Sequence, residues 1–181
     1  DTEGNPLFLV ETMRANLPGQ PQVTIVRQSA AMPTPAPNHA LASPILPSKV
    51  YSVIQARLAQ LSPAAQEVAE VAAVIGRQFT LNVLLAAVGK AEEVVVAALD
   101  ELWLRRIVRE QGVASYDFSH DKIREVVYAE SRSARRRLLH RRVAEALEMT
   151  YSDNVTDVAT QLAAHFEQAG LVQKAIEFYQ M

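Results

Sequence analysis

Tyr116-Asp117-Phe118-Ser119-His120-Asp121 runs straight into Lys122-Ile123-Arg124-Glu125-Val126-Val127-Tyr128. Alternation places Tyr116 and Phe118 on one face of a short strand. The following residues begin a helix, so His120 stands where strand becomes helix. Helix starts leave backbone N–H groups unpaired and favour an anion. His120 is therefore the histidine best placed to meet a ligand.

Working back from this junction, Ile107-Val108-Arg109-Glu110 and Tyr116-Asp117-Phe118 read as two short strands around Gln111-Gly112, a β-hairpin. Helices precede it. Val50, Val53, Ile54 and Leu58 define one that ends near Leu61. Ser62-Pro63 then pairs a capping residue with a proline at the first helical position, opening a second helix through Val68, Val71, Ala72 and Ile75 to Gly76. Its small and aliphatic composition predicts a central, buried position. Thr80 is the expected cap of a third helix, Leu81 to Val88, closed by Gly89. A fourth runs from about Ala91 to Arg105, with Val95, Leu99 and Leu102 on one stripe, and Trp103 is expected in the core. Three helices followed by a hairpin make a winged helix. In that reading Leu81–Val88 takes the recognition position.

Downstream of the junction, a basic helix is predicted over about 134–149, with Leu139, Val143, Ala146 and Leu147 on its apolar face. Asp153-Asn154-Val155-Thr156 breaks it. Two further helices, about 156–169 and 171–180, meet at Gly170, with Leu162, Ala163, Phe166, Ala175 and Tyr179 set around the crossing. This resembles one tetratricopeptide pair, which cannot bury both its faces alone, so more repeats are expected after Met181. At the other end, residues 7–17 have helical spacing. Seven of the nine prolines then fall between Pro18 and Pro47, predicting an extended linker with at most one short strand, at 23–26.

The 181 residues are 49% hydrophobic and 21% charged, with a formal net charge of −2, the balance of a globular chain. With no cysteine there is neither a disulfide framework nor a Cys-ligated zinc site. No apolar run approaches the roughly 20 residues that span a bilayer. With Asp1 in place of an initiator Met, and Met181 inside a helical pattern, the sequence is expected to be a segment of a longer protein.

Taken in order, Gly4-Asn5-Pro6-Leu7-Phe8-Leu9-Val10-Glu11, Val53-Ile54-Gln55-Ala56-Arg57-Leu58, Leu61-Ser62-Pro63, residues 118–128 and Arg136-Arg137-Leu138-Leu139-His140-Arg141-Arg142-Val143-Ala144 form a set. This set resembles the segments that follow the ATPase core in STAND-type signalling ATPases. The likeness is to the large LuxR and antibiotic-regulator type of bacterial transcriptional activator. It implies a mainly α fold: the end of an ATPase lid at 1–17, a proline-rich linker at 18–47 and a winged helix with a small β-hairpin wing at 48–131. A connecting basic helix at 132–154 and a first tetratricopeptide-like pair at 155–181 complete it. It further implies that Asn5 and Pro6 form the lid turn that packs against adenine. His120 and Asp121 would be the pair by which the winged helix meets the β-phosphate of ADP, with Asp121 capping the helix and orienting the ring. Ser119 stands where animal and plant relatives often carry Met.

No Gly-x-x-x-x-Gly-Lys-Ser/Thr is present. The segment is accordingly expected to be no enzyme, and ADP or ATP is expected only in the intact protein. Its expected partners are the upstream core and downstream repeats of the same chain, with self-association. DNA is expected only indirectly through another domain, with no membrane and a cytoplasmic setting. Ser119-His120-Asp121 is not a catalytic triad, because sequence neighbours project in different directions. His39 and His165 have no spacing partners that argue for a metal. One alternative is a DNA-binding winged helix, on the strength of Arg132, Arg135, Arg136, Arg137, Arg141 and Arg142; against it, Leu81–Val88 offers no Arg or Lys to bases. A second alternative is the regulatory segment of a cyclase- or kinase-linked signalling ATPase.

Overall fold

In the computed structural model, residues 48–181 are described. The helix expected over 7–17, the lid turn at Asn5 and Pro6, the linker at 18–47 with its strand, and His39 lie outside the described residues.

The described chain is mainly helical around one small sheet. Helix α1 is Ser48–Leu58 and α2 is Pro63–Ile75. Ser62 caps α2 as its sequence suggests: the Oγ accepts from the Ala65 N–H at 3.2 Å, and Pro63 takes the first position, where no donor is missed. Ala65, Val68, Ala69 and the run Val71–Ile75 are buried, so α2 is the central helix. A strand absent from the sequence reading follows, β1 at Gln78–Thr80. Helix α3 (Leu81–Val88) ends where Gly89, at φ 66°, turns the chain left-handed. Thr80 stands at its N-cap without a side-chain cap bond. Helix α4 is Glu92–Leu104.

Strands β2 (Val108–Glu110) and β3 (Ser115–Phe118) form the expected hairpin, but β3 also pairs with β1, giving the antiparallel order β1-β3-β2. Phe79 of β1 lies opposite Tyr116 and stacks on it at 5.9 Å, and it meets Phe118 edge-on at 6.0 Å. Such pairs add to the burial of large rings.

Helix α5 (Asp121–Glu130) leaves the sheet, and α6 (Ser133–Thr150) packs across α2 and α3. Helix α3 is thus covered by α6, which removes it from the exposed recognition position. A 3₁₀ turn at Ser152–Val158, with Asn154 non-helical, delays the next helix to Ala159. Helices α7 (Ala159–Gln168) and α8 (Val172–Tyr179) form an antiparallel pair on α6. Leu162, Ala163, Phe166 and Ala175 are buried between them, and Phe178 stacks on Phe166 at 5.4 Å, while Tyr179 is exposed. Trp103 is another difference from the sequence expectation. It is 52% exposed, because Val95, Ala98, Leu99 and Leu102 already fill the buried side of α4. Among the described residues no helix is long and apolar enough to cross a membrane.

The end of α4 sets the start of the hairpin. Ile107 N–H donates to the Leu102 carbonyl at 2.9 Å and Arg106 N–H to that of Trp103 at 2.8 Å, with Arg106 at φ 54°. This is a Schellman turn whose left-handed position carries a side chain instead of glycine. The Arg57 guanidinium donates to the Arg105 carbonyl, tying α1 to the same helix end. Since a left-handed non-glycine residue costs about 1 kcal/mol, Arg106→Gly is expected to raise stability by about that amount. Urea unfolding of the two chains measures it; an unchanged or lower midpoint would contradict the strain.

Candidate functional site

Strand β3 ends at Phe118, and the next residue is clamped. Ser119 N–H donates to the Ile107 carbonyl at 3.0 Å, and its hydroxyl donates to the Arg106 carbonyl at 2.6 Å. The chain therefore leaves the sheet in a fixed direction. His120 follows as the N-cap residue of α5, extended at φ −146° and ψ 138°, and its side chain makes no cap bond. The ring is exposed, and no hydrogen bond or ion pair engages it among the described residues.

Asp121 does not take the role that the resemblance implies. It is the first residue of α5, and its Oδ2 lies 2.8 Å from Nη1 of Arg77, both side chains being about half exposed. Arg77 is brought there by its backbone, whose carbonyl accepts from the Phe118 N–H at 3.1 Å just before β1. Paired with Arg77, the Asp121 carboxylate neither caps the helix nor orients the imidazole. The result is an exposed ring, an arginine and the first N–H groups of α5 gathered at one helix start. The free N–H groups favour an anion such as a phosphate, while the Asp121 carboxylate beside them holds Arg77 and opposes it.

Below this corner the hairpin is braced by one ion pair. Arg109 and Asp117 are opposite in register, and the guanidinium grips the carboxylate with two bonds, Nε to Oδ1 at 2.6 Å and Nη2 to Oδ2 at 2.8 Å. Asp117 is buried. Hydrogen bonding from Arg109 holds its carboxyl below the usual range against the opposing effect of burial, and Gln111 helps.

A second polar cluster was not visible as such in the sequence. Tyr128 of α5, His140 of α6 and His165 of α7 form a chain, Tyr128 Oη to His140 Nε2 at 2.9 Å and His140 Nδ1 to His165 Nδ1 at 2.9 Å. Both imidazoles are buried. Burial, followed by the charge of Arg136 for His140 and by the neighbouring ring for His165, holds each pKa down to about 4. With both rings protonated, two N–H groups would face each other across that contact. The available signal was His140 lying three residues before Val143, within the apolar stripe of α6. Two histidines alone do not make a metal centre: among the described residues no group of three or more His, Cys, Asp or Glu could hold an ion.

Over 143 residues, 76% of this chain, the sequence is 36% identical to an uncharacterized protein of Rhizobium meliloti (strain 1021). The chain spans 14% of the length of that relative, so it is similar to a small part of a much longer protein. No family model matches the chain, and no solved structure matches it.

Two outcomes follow from these clusters. Arg109→Ala leaves a buried carboxylate without its main partner and is expected to lower the midpoint of denaturant unfolding. Because the folded pKa of Asp117 is depressed, the stability it contributes is present above the ordinary carboxylate pKa and lost as pH falls through the folded value. The variant should therefore unfold with a weaker acid dependence below about pH 4, which denaturant titration at several pH values measures. The histidines act in another window. Their folded pKa lies below the unfolded value near 6.5, so stability is complete above that value. It falls as pH drops toward about 4, with a slope approaching 1.4 kcal/mol per pH unit for each ring, about one proton. Melting between pH 7 and 5 should show this loss, and His140→Leu with His165→Leu should abolish it.

Proposed function

We propose that this chain is the regulatory segment of a STAND-type signalling ATPase of the large LuxR and antibiotic-regulator type. In this reading it couples the nucleotide state of a core elsewhere in the parent protein to assembly and output. The reading takes 48–131 as a winged helix, 132–154 as the connecting basic helix and 155–181 as the first tetratricopeptide-like pair, in a cytoplasmic protein. It is supported by the order α2-β1-α3-α4-β2-β3 with β3 between the other strands, and by the antiparallel packing of α7 on α8. Val172, Ile176 and Tyr179 remain exposed on α8, a surface on which a further helical pair would stack. Likeness to a small part of a much longer protein is in keeping with it.

The observation that carries the proposal is the uncommitted ring of His120 at the start of α5. A bound nucleotide supplies a charged, exchangeable phosphate. His120 would donate a ring N–H to its oxygen, α5 would favour the same charge through its free N–H groups, and Arg77 would add a cation already held in place by Asp121. No Gly-x-x-x-x-Gly-Lys-Ser/Thr is present to hold a triphosphate, so in this reading the segment senses and does not catalyse. Asn5 and Pro6 keep their adenine-packing role within this proposal.

Direct DNA binding draws less support. Helices α3 and α4 are joined by the short turn Gly89-Lys90-Ala91, so the second helix of that unit is α4. It carries Glu92, Glu93, Asp100 and Glu101 and neither Lys nor Arg, the wrong charge for a phosphate backbone.

In the intact protein, His120→Ala removes one hydrogen bond to a charged group, a loss of about tenfold or more in ADP affinity. Less ADP should remain bound through purification, and basal output should rise. Unchanged nucleotide content, measured after denaturing the purified protein, would sink the proposal.

A further inference from the structure

Helix α4 turns an unusual face outward. Glu93, Val96, Ala97, Asp100, Trp103 and Leu104 follow one another at three and four residues and are all exposed, so they form one stripe. Trp103 is 52% and Leu104 71% exposed. Glu92, Glu93 and Asp100 have no cationic partner among the described residues. A large exposed aromatic one turn from the unpaired Asp100, on a stripe that also carries Glu93, is costly to leave in water and suits a cationic, partly apolar surface.

Such a surface exists on the same chain. The outer stripe of α6 presents Ala134, Arg137, Leu138 and Arg141, all exposed. Arg137 has no carboxylate partner among the described residues, and Arg141 is paired only within its own helix, to Glu145 at 2.8 Å. Helices α4 and α6 do not pack on each other within one chain. With a net charge of only −2, two copies repel each other weakly, while the charges are segregated onto these two helices.

We infer that the α4 stripe of one chain docks on the α6 stripe of a second copy. Trp103 packs against Leu138 and under an arginine, and Glu93 and Asp100 face Arg137 and Arg141. The contact joins two different surfaces, so it either repeats from copy to copy or closes as a pair of reciprocal contacts. It does not depend on nucleotide or on His120.

The test uses two variants of the chain, Glu93→Arg with Asp100→Arg, and Arg137→Glu with Arg141→Glu. All four side chains are exposed, and circular dichroism verifies folding. The unmodified chain should associate with rising concentration in sedimentation velocity, over about 1 µM to 1 mM, and less so in salt. Each variant alone should be monomeric, whereas their mixture should associate, because native α4 of the second then meets native α6 of the first, and reversed α4 meets reversed α6. Adding Trp103→Ala to both variants should remove that complex. An unmodified chain that is monomeric throughout, association insensitive to salt, or a mixture that stays monomeric would overturn the inference. So would a monomer that instead shifts a random-sequence DNA duplex through Arg137 and Arg141, which would assign α6 to nucleic acid.

Discussion

Strand β3 is paired along both of its edges, and the arrangement of everything after it follows from that constraint. With β1 on one side and β2 on the other, Ser115–Phe118 has no freedom to slide, since a shift by one residue would turn Phe118 out of the core and Asp117 into it. Its rings are held by Phe79, and its one buried carboxylate is held by Arg109. Ser119 then fixes the exit against the turn that ends α4. The direction of α5, and so the place of His120, is determined before any residue of α5 contributes.

The electrostatics divide in the same way. In the hairpin, the buried Asp117 carboxylate is held by a half-exposed Arg109, and losing that partner strands a desolvated charge. At the start of α5 charge is half exposed and exchangeable, Arg77 and Asp121 being able to trade partners at little cost. The first kind of pair holds shape and the second leaves a surface free to respond. On α4 and α6 the carboxylates and guanidinium groups are separated onto two elements, and much of the remaining charge of the described residues is paired nearby.

How far the sequence revealed this depends on the range of each interaction. Ser62-Pro63, Gly89 and Gly170 declare local geometry through their own chemistry, and the helix limits they imply are close to those observed. Strand β1 is three residues long, too short for any periodicity, and exists only because β3 offers it an edge. Arg106 adopts a glycine conformation without being glycine, so nothing in the sequence announces the turn. Trp103 was expected inside because it is large and apolar, yet the stripe opposite it was already complete. His120 was legible because it stands at a junction of two local patterns. The salt bridge that takes Asp121 from it joins residues 44 apart and was not. The histidine chain likewise joins three helices through contacts that no spacing rule anticipates.

That chain gives α5 a second meaning. The helix begins at His120, and about 10 Å further along its axis it carries Tyr128, bonded to His140 and through it to His165. One short rod thus has its tip at the exposed corner and its flank linked to α6 and α7. Because the two imidazoles are buried, the linkage is made of short directional bonds. The start of α5 is thus joined to the final helical pair by hydrogen bonds as well as through the core that Ile123, Val126 and Val127 enter.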